Sequence, residues 1–148
     1  MVMGVKQLQR LFRQVSGLEI DKSDVKRLND FIGNRLRTLL LQGQVAASIN
    51  GRDIIDYQDI PITIGLQQAI REFIDRDEKL SLAKILRQQA TLPPLRMDIT
   101  DLLEKKLPEL VGGITVGLAK VFRVVNKEIK NPGSREWDQV EEIYRILL

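Results

Sequence analysis

Seven basic side chains, in two sets, are the residues of this 148-residue chain whose type and spacing could do chemistry. Lys6, Arg10 and Arg13 share a face of a short helix. Lys120, Arg123, Lys127 and Lys130 are spaced 3, 4 and 3, which puts them on one face of a longer helix. The chemistry would be contact with phosphates, since Lys and Arg neutralise a nucleic-acid backbone and release its counterions. Four such contacts would give a salt slope of roughly −3.6. The aromatics between them, Phe12 and Phe122, fall on the other side of the helix, which argues against stacking on single strands. The plainer alternative is a solvated helix face.

Other chemistries lack their residues. There is no His, the commonest general base and metal ligand, and no Cys, so neither a disulfide framework nor a thiolate metal site can form. No phosphate loop of the P-loop or dinucleotide type is present, and no Gly-x-Ser-x-Gly elbow. Asp75, Asp77 and Glu78, and Glu141 with Glu142, lack calcium-loop spacing and read as helix-end or surface charge. The expectation is a protein that is not an enzyme and needs no metal or cofactor.

The bulk numbers point to one folded domain. Apolar residues make up 43% and charged residues 29%, a balance that folds rather than stays disordered. Residues 1–78 carry 11 basic and 11 acidic side chains, and residues 79–148 carry 12 and 9. The net charge of +3 thus comes from the second half and is mild for a dedicated nucleic-acid binder. No apolar run suits a signal peptide or a membrane span, so a cytoplasmic location is expected.

The elements that must carry these side chains are helices. Leu8, Leu11, Phe12 and Val15 predict a short helix over 5–15, ended by Ser16-Gly17. Asp21 or Ser23 caps a long helix over about 23–50. Its apolar stripe is Val25, Leu28, Ile32, Leu36, Leu39, Val45, Ala46 and Ile49, and Gly51 stops it. Ile54 and Ile55 suit a brief extended segment. Asp59 then caps a third helix to about Asp75, with Pro61 in its first turn and Ile64, Leu66, Ala69, Ile70 and Phe73 inward.

The order then repeats. Leu80–Ala90 predicts a short helix with Leu82, Ile85 and Leu86 inward, followed by a stiff Pro93-Pro94 loop. Asp98 caps a second long helix carrying Ile99, Leu102, Leu103, Leu107, Leu110, Ile114, Leu118, Val121, Phe122, Val125 and Ile129. Pro108 kinks or restarts it, and Asn131-Pro132-Gly133 ends it. Ser134 caps a last helix with Trp137, Val140, Ile143, Tyr144 and Leu147. A long helix in a three-helix unit cannot be covered by that unit alone, so each half must bury its stripe against the other. Gly33, Gly43, Gly112, Gly113 and Gly117 would let the long helices approach closely; the alternative is neutral or helix-breaking glycine.

The frame Gly51-Arg52, two residues, Ile55, three residues, Asp59-Ile60 resembles the second loop and third-helix start of a histone fold, especially the archaeal kind. Residues 5–148 resemble two histone folds fused in one chain, as in a small prokaryotic family of histone-fold proteins whose function is not established. The resemblance implies an all-α single domain over 1–148. Its two tandem short-long-short units, 5–76 and 79–148, would form an intramolecular handshake pseudo-dimer. It also implies that Arg52 and Asp59 form an ion pair bracing the second loop against the third helix. In the second half, aligning Asp138 with Asp59 puts Asn131 where Arg52 would be, so that clamp is missing and Trp137 braces the end by packing.

DNA-wrapping archaeal histones carry a Lys and a Thr after the loop Arg, where this chain has Asp53 and Ile54, and Asp56 replaces a further Lys. A carboxylate facing a phosphate is repulsive, which argues against nucleosome-like wrapping. Arg10 lies near the position of a DNA-facing histone Arg. The functional expectation is a non-enzymatic, histone-like protein that binds double-stranded DNA weakly, without sequence preference, through the backbone. The alternative is a protein-interaction or self-association module with no nucleic-acid role. Clustered exposed Lys and Arg would favour the first, and scattered charge with an exposed apolar patch the second.

Overall fold

A computed structural model describes residues 2–80 and 95–147. These residues are mostly helical. Helix α1 spans Val2–Ser16 and α2 spans Lys22–Ile49, followed by strand β1, Ile54–Ile55, and a 3-10 turn, Tyr57–Asp59. Helix α3 spans Ile64–Leu80, strand β2 Asp98–Ile99, α4 Asp101–Val125 and α5 Ser134–Leu147. The two strands pair in parallel, Ile54 with Asp98 and Ile55 with Ile99. This short bridge joins the segment after one long helix to the segment before the other. Leu80 closes α3. The rest of the predicted short helix, with Leu82, Ile85 and Leu86, and the Pro93-Pro94 loop lie outside the described residues.

Helix ends follow local chemistry. Gly17 (φ +70°) turns the chain out of α1, and Gly51 (φ +73°) out of α2. Asp21 caps α2 in a reciprocal box. Asp24 N–H donates to Asp21 Oδ1 at 3.0 Å, and Asp21 N–H to Asp24 Oδ2 at 2.9 Å.

Three predicted caps are corrected: Ser134 is the first residue within α5 rather than its cap, since the Gly133 carbonyl before it accepts the Trp137 N–H at 3.0 Å, and two others differ. Asp59 closes the 3-10 turn, and α3 starts after Thr63, whose hydroxyl accepts the Leu66 N–H at 3.1 Å. Pro61 therefore precedes the helix, which runs on past Asp75 to Leu80. Asp98 lies in β2, and Thr100 caps α4 by accepting the Leu103 N–H at 3.2 Å. Ile99 is accordingly in the strand rather than the helix.

Helix α4 passes through Pro108 unbroken and ends at Val125, well before Asn131. Asn126 stops it: its side chain accepts the Glu128 N–H at 3.0 Å, offering the backbone an alternative to the next helical turn. Ile129 thus lies beyond the helix, where it packs against the core.

The core is centred on α4. Every residue from Leu110 to Ala119 is buried. A helix buried on all sides must be enclosed, and its neighbours are α1, α2, α3 and α5. The stripe of α2 differs from the predicted one. Its buried face continues through Leu40, Gly43, Gln44 and Ala47, while Val45 and Ile49 face out. Ile64 and Leu102 are also exposed rather than inward.

The glycines separate by position. A Cβ on Gly112 would sit 2.3 Å from the Phe73 ring, and one on Gly113 would sit 2.4 Å from Ile70 Cγ1 and 3.1 Å from its backbone N. The close approach is therefore of α3 to α4, not of the two long helices to each other. Gly43 meets Ile60 and Ile55, and Gly117 meets Tyr144, whereas Gly33 faces open space. Gly113→Ala should destabilise the fold by about 1–3 kcal/mol through overpacking against backbone. Gly33→Ala should stabilise it by about 0.5–1 kcal/mol. Urea denaturation of the two variants should move the midpoint in opposite directions.

Candidate functional site

The loop after α2 is held by a fork of charge. Arg52 donates to Asp59 Oδ2 at 2.8 Å and to Oδ1 at 2.5 Å, and the Asp56 N–H donates to the same carboxylate at 2.8 Å. Planar guanidinium and carboxylate match in this two-bond geometry. Asp59 is buried, Arg52 half-buried. The Arg52 hydrogen bonds hold the Asp59 carboxyl below its usual range against the opposing effect of burial. Asp56 is structural as well: one oxygen accepts the Tyr57 N–H and the Thr100 hydroxyl, each at 2.8 Å. With Thr100 N–H donating to the Ile55 carbonyl at 2.9 Å, this carboxylate fastens the loop to the start of α4. Asp53 is exposed.

The second half reaches the same end by another route. Asp138 does receive an arginine, but from α2 rather than from position 131. Arg27 donates to Asp138 and, at 2.9 Å, to Glu141. Its guanidinium lies 5.7 Å from the centre of the Trp137 ring. Trp137 packs edge-on against Phe122, with ring centres 4.9 Å apart, and donates its Nε1–H to Asp24 Oδ1 at 2.8 Å. Asp24 thus serves the cap of α2 with one oxygen and the indole with the other. Asp24 was missed in the sequence although the Asp21-x-x-Asp24 spacing could have signalled it, whereas nothing local signals Arg27, whose partners lie 111 and 114 positions away.

The two basic sets are not equivalent. On α1, Lys6 and Arg10 are exposed and make no ion pair among the described residues, while Arg13 is bound to Glu19 at 2.8 and 3.0 Å. The second set is not one helix face. Lys120 and Arg123 are on α4, but Lys127 and Lys130 lie beyond its end. Lys120 pairs with Glu72 at 3.0 Å, and Arg123 reaches the Val15 carbonyl at 3.5 Å. Burial alone would raise the Glu72 carboxyl, but Lys120 and Arg76 outweigh it and hold it lower.

Two concavities among the described residues stand near these ties. A cleft of about 460 Å³ between α2 and α5 includes Lys26, Asp30, Asn34, Thr38 and Glu141 in its lining. A groove of about 310 Å³ between α3, α4 and α5 is mainly apolar, with Ala69, Gly117, Val121, Val124 and Ile143 in its wall. Among the described residues no group of three or more His, Cys, Asp or Glu could hold a metal ion, and no helix is long and apolar enough to cross a membrane.

Residues 8–145 match the family model described as a domain of unknown function, DUF1931. The chain belongs to the DUF1931 family. It is 39% identical to a protein of Thermus thermophilus whose crystal structure superposes with a TM-score of 0.86 over the whole of both chains. A crystal structure of an Aquifex aeolicus protein shares the fold, with a TM-score of 0.85 at 21% identity over 98% of this chain and 95% of that one. A relative from Aquifex aeolicus strain VF5, named only as an uncharacterised protein, is 30% identical over 88% of this DUF1931 chain and 83% of its own length. A second from the same strain is 24% identical over 86% and 74%.

The charged ties at the two ends can be tested separately. Asp59→Asn should lower Tm by a few degrees at neutral pH. Because Asp59 is held below its usual value, its stabilisation is complete near neutrality and vanishes as pH falls through that lowered value. The gap between wild type and variant should therefore close below about pH 4 in thermal melts. Trp137→Phe keeps an aromatic side chain but replaces the indole with a smaller phenyl and strips Asp24 of a buried donor, and should cost about 1–3 kcal/mol in chemical denaturation.

Proposed function

We propose that this chain is two histone folds fused into one polypeptide, a handshake pseudo-dimer of residues 5–76 and 79–148, working as a non-enzymatic assembly module in the cytoplasm. The parallel bridge of Ile54–Ile55 with Asp98–Ile99 carries this reading. In a handshake, the loop after one long helix meets the loop before the other, and this bridge joins those two segments. The Arg52–Asp59 fork supports it at the position where the resemblance puts a clamp.

Assembly is favoured over nucleic-acid binding by how the charges are used. Arg13, Arg27, Arg52, Arg76, Lys106 and Lys120 all sit in ion pairs. Leu41, Val45, Ile49, Ile64, Val124 and Ile146 stand exposed. A basic side chain already matched to a carboxylate releases no counterion from DNA without first losing its partner.

A second reading, weak backbone binding of double-stranded DNA, draws on the exposed Lys6 and Arg10 of α1. Two phosphate contacts would give a salt slope of only roughly −1.8. Fluorescence anisotropy with a labelled random duplex should show no saturable binding even at low salt. Micromolar binding that weakens with salt and is lost in Lys6→Glu/Arg10→Glu would replace the assembly reading with the DNA one.

A further inference from the structure

The cleft between α2 and α5 has its charges arranged by level. The two helices run along it in the same direction. Arg27 meets Asp138 and Glu141, whereas Arg35, about 12 Å further along α2, lies over Tyr144 with its guanidinium 5.6 Å from the ring centre. Arg145 follows Tyr144, so Arg35 and Arg145 stand at one level, and both line the cleft. The carboxylate that Arg145 approaches, Glu141, is already held by Arg27 at 2.9 Å, and Arg145 stands 3.8 Å from it, beyond hydrogen-bond reach. The other polar groups nearby are mainly acceptors. Asp30 is exposed and makes no ion pair among the described residues. The Thr38 hydroxyl donates to the Asn34 carbonyl at 3.0 Å, which leaves its oxygen to accept. Phe31 also lines the cleft, but it is 4% exposed and packs edge-on against Tyr144, so it offers no open face for a base to stack on. The volume of about 460 Å³ is in the range of small-molecule sites.

We propose that this cleft binds a phosphate monoester of a small polyol, with the phosphate between Arg35 and Arg145 and the hydroxyls on Asp30, Asn34 and the Thr38 oxygen. A guanidinium presents a fork of donors that two phosphate oxygens can fill, and a monoester carries about −1.5 to −2 charge near neutrality, enough for both arginines. The walls of a cleft focus the field of such a pair more than a convex surface does. A bare phosphate would use the arginines and leave the acceptors empty, and a bare polyol would do the reverse. Asp30 sets the direction of entry, because a carboxylate repels phosphate and accepts from hydroxyls. Lys26 also lines the cleft, but it lies one turn beyond Asp30, about 14 Å along α2 from Arg35, and is not part of the site. The same phosphorylated polyol could arrive free in solution or as a lipid headgroup. The site does not depend on how the chain assembles, and Lys6 and Arg10 of α1 lie outside it.

Isothermal titration calorimetry of the full chain at low salt tests this, with inositol monophosphate, inositol and inorganic phosphate as probes. The monophosphate should bind saturably and about tenfold more tightly than inorganic phosphate, and inositol should not bind. Arg145→Ala should weaken the monophosphate by about tenfold. Asp30→Ala should shrink its advantage over inorganic phosphate to about threefold or less, while Lys26→Ala should change its affinity by less than about twofold. All three positions are exposed, so circular dichroism melts of the variants should match the wild type. No saturable binding of the monophosphate in any form overturns the proposal. Equal losses from Lys26→Ala and Arg145→Ala would show diffuse attraction to a basic face and overturn it too. An Asp30→Ala variant that keeps the full preference overturns the placing of the hydroxyls. Co-sedimentation with phosphatidylcholine vesicles carrying phosphatidylinositol phosphate separates the sources. Capture that Arg145→Ala abolishes supports the headgroup, and calorimetric binding without capture supports the free ester.

Discussion

The structure depends on enclosing α4. From Leu110 to Ala119 that helix has no residue facing water, so no arrangement of a single layer of helices beside it would do. Helices α1, α2, α3 and α5 all contact it, and the glycines decide how closely. Gly112 and Gly113 bring the α4 backbone against Phe73 and Ile70 of α3, where any side chain on α4 would overlap them. Two glycines in a helix interior cost about 1 kcal/mol each relative to alanine. What offsets that cost is burial of Phe73 and Ile70 against backbone, an approach distance no other residue type allows.

Around this apolar centre the polar ties are few and sit at the ends of elements. Asp59 and Asp138 are both taken by an arginine, but the two arginines come from different places. Arg52 is seven residues from its carboxylate, so its tie fixes a loop and is nearly independent of the rest of the fold. Arg27 is 111 residues from Asp138, and its tie exists only once α2 and α5 have docked. Trp137 and Asp24 reinforce the same junction with a buried hydrogen bond. One end is therefore braced locally, the other by assembly of the two halves.

Among the described residues the sequence made the helix order legible, with its stops at Gly17 and Gly51, the extended pair Ile54–Ile55 and, of the two candidates Asp21 and Ser23, a cap that falls on Asp21. These features are local and need only backbone geometry. The errors share a cause, competition from a partner that periodicity does not see. Asp59 was expected to cap α3, but its carboxylate is filled by Arg52 and the Asp56 N–H, so Thr63 takes the role two residues after Pro61. Asp98 gave way to Thr100 because its own backbone is in the bridge. The last turns of α2 were assigned by apolar character to Val45, Ala46 and Ile49. The buried positions there are Gly43, Gln44 and Ala47, small or polar residues that a hydropathy pattern passes over. They are buried because Ile55 and Ile60 lie against that side, as the contacts of Gly43 record.

Spacing of 3, 4 and 3 among Lys120, Arg123, Lys127 and Lys130 has meaning only while the helix lasts, and Asn126 ends it between the second and third of them. Once the helix is cut, the four residues no longer form a row. Lys130 instead belongs to a segment whose carbonyl takes the Glu19 N–H at 2.6 Å, beside the α1–α2 link. The chain's positive charge is then spread over several elements, and part of it is matched by carboxylates. Its long uninterrupted neutral stretch is on α2, where aliphatic side chains point outward. A protein whose exposed surface is concentrated charge would be steered to a polyanion at long range. One whose charges are dispersed is steered less, and an apolar helix face gains by removal from water.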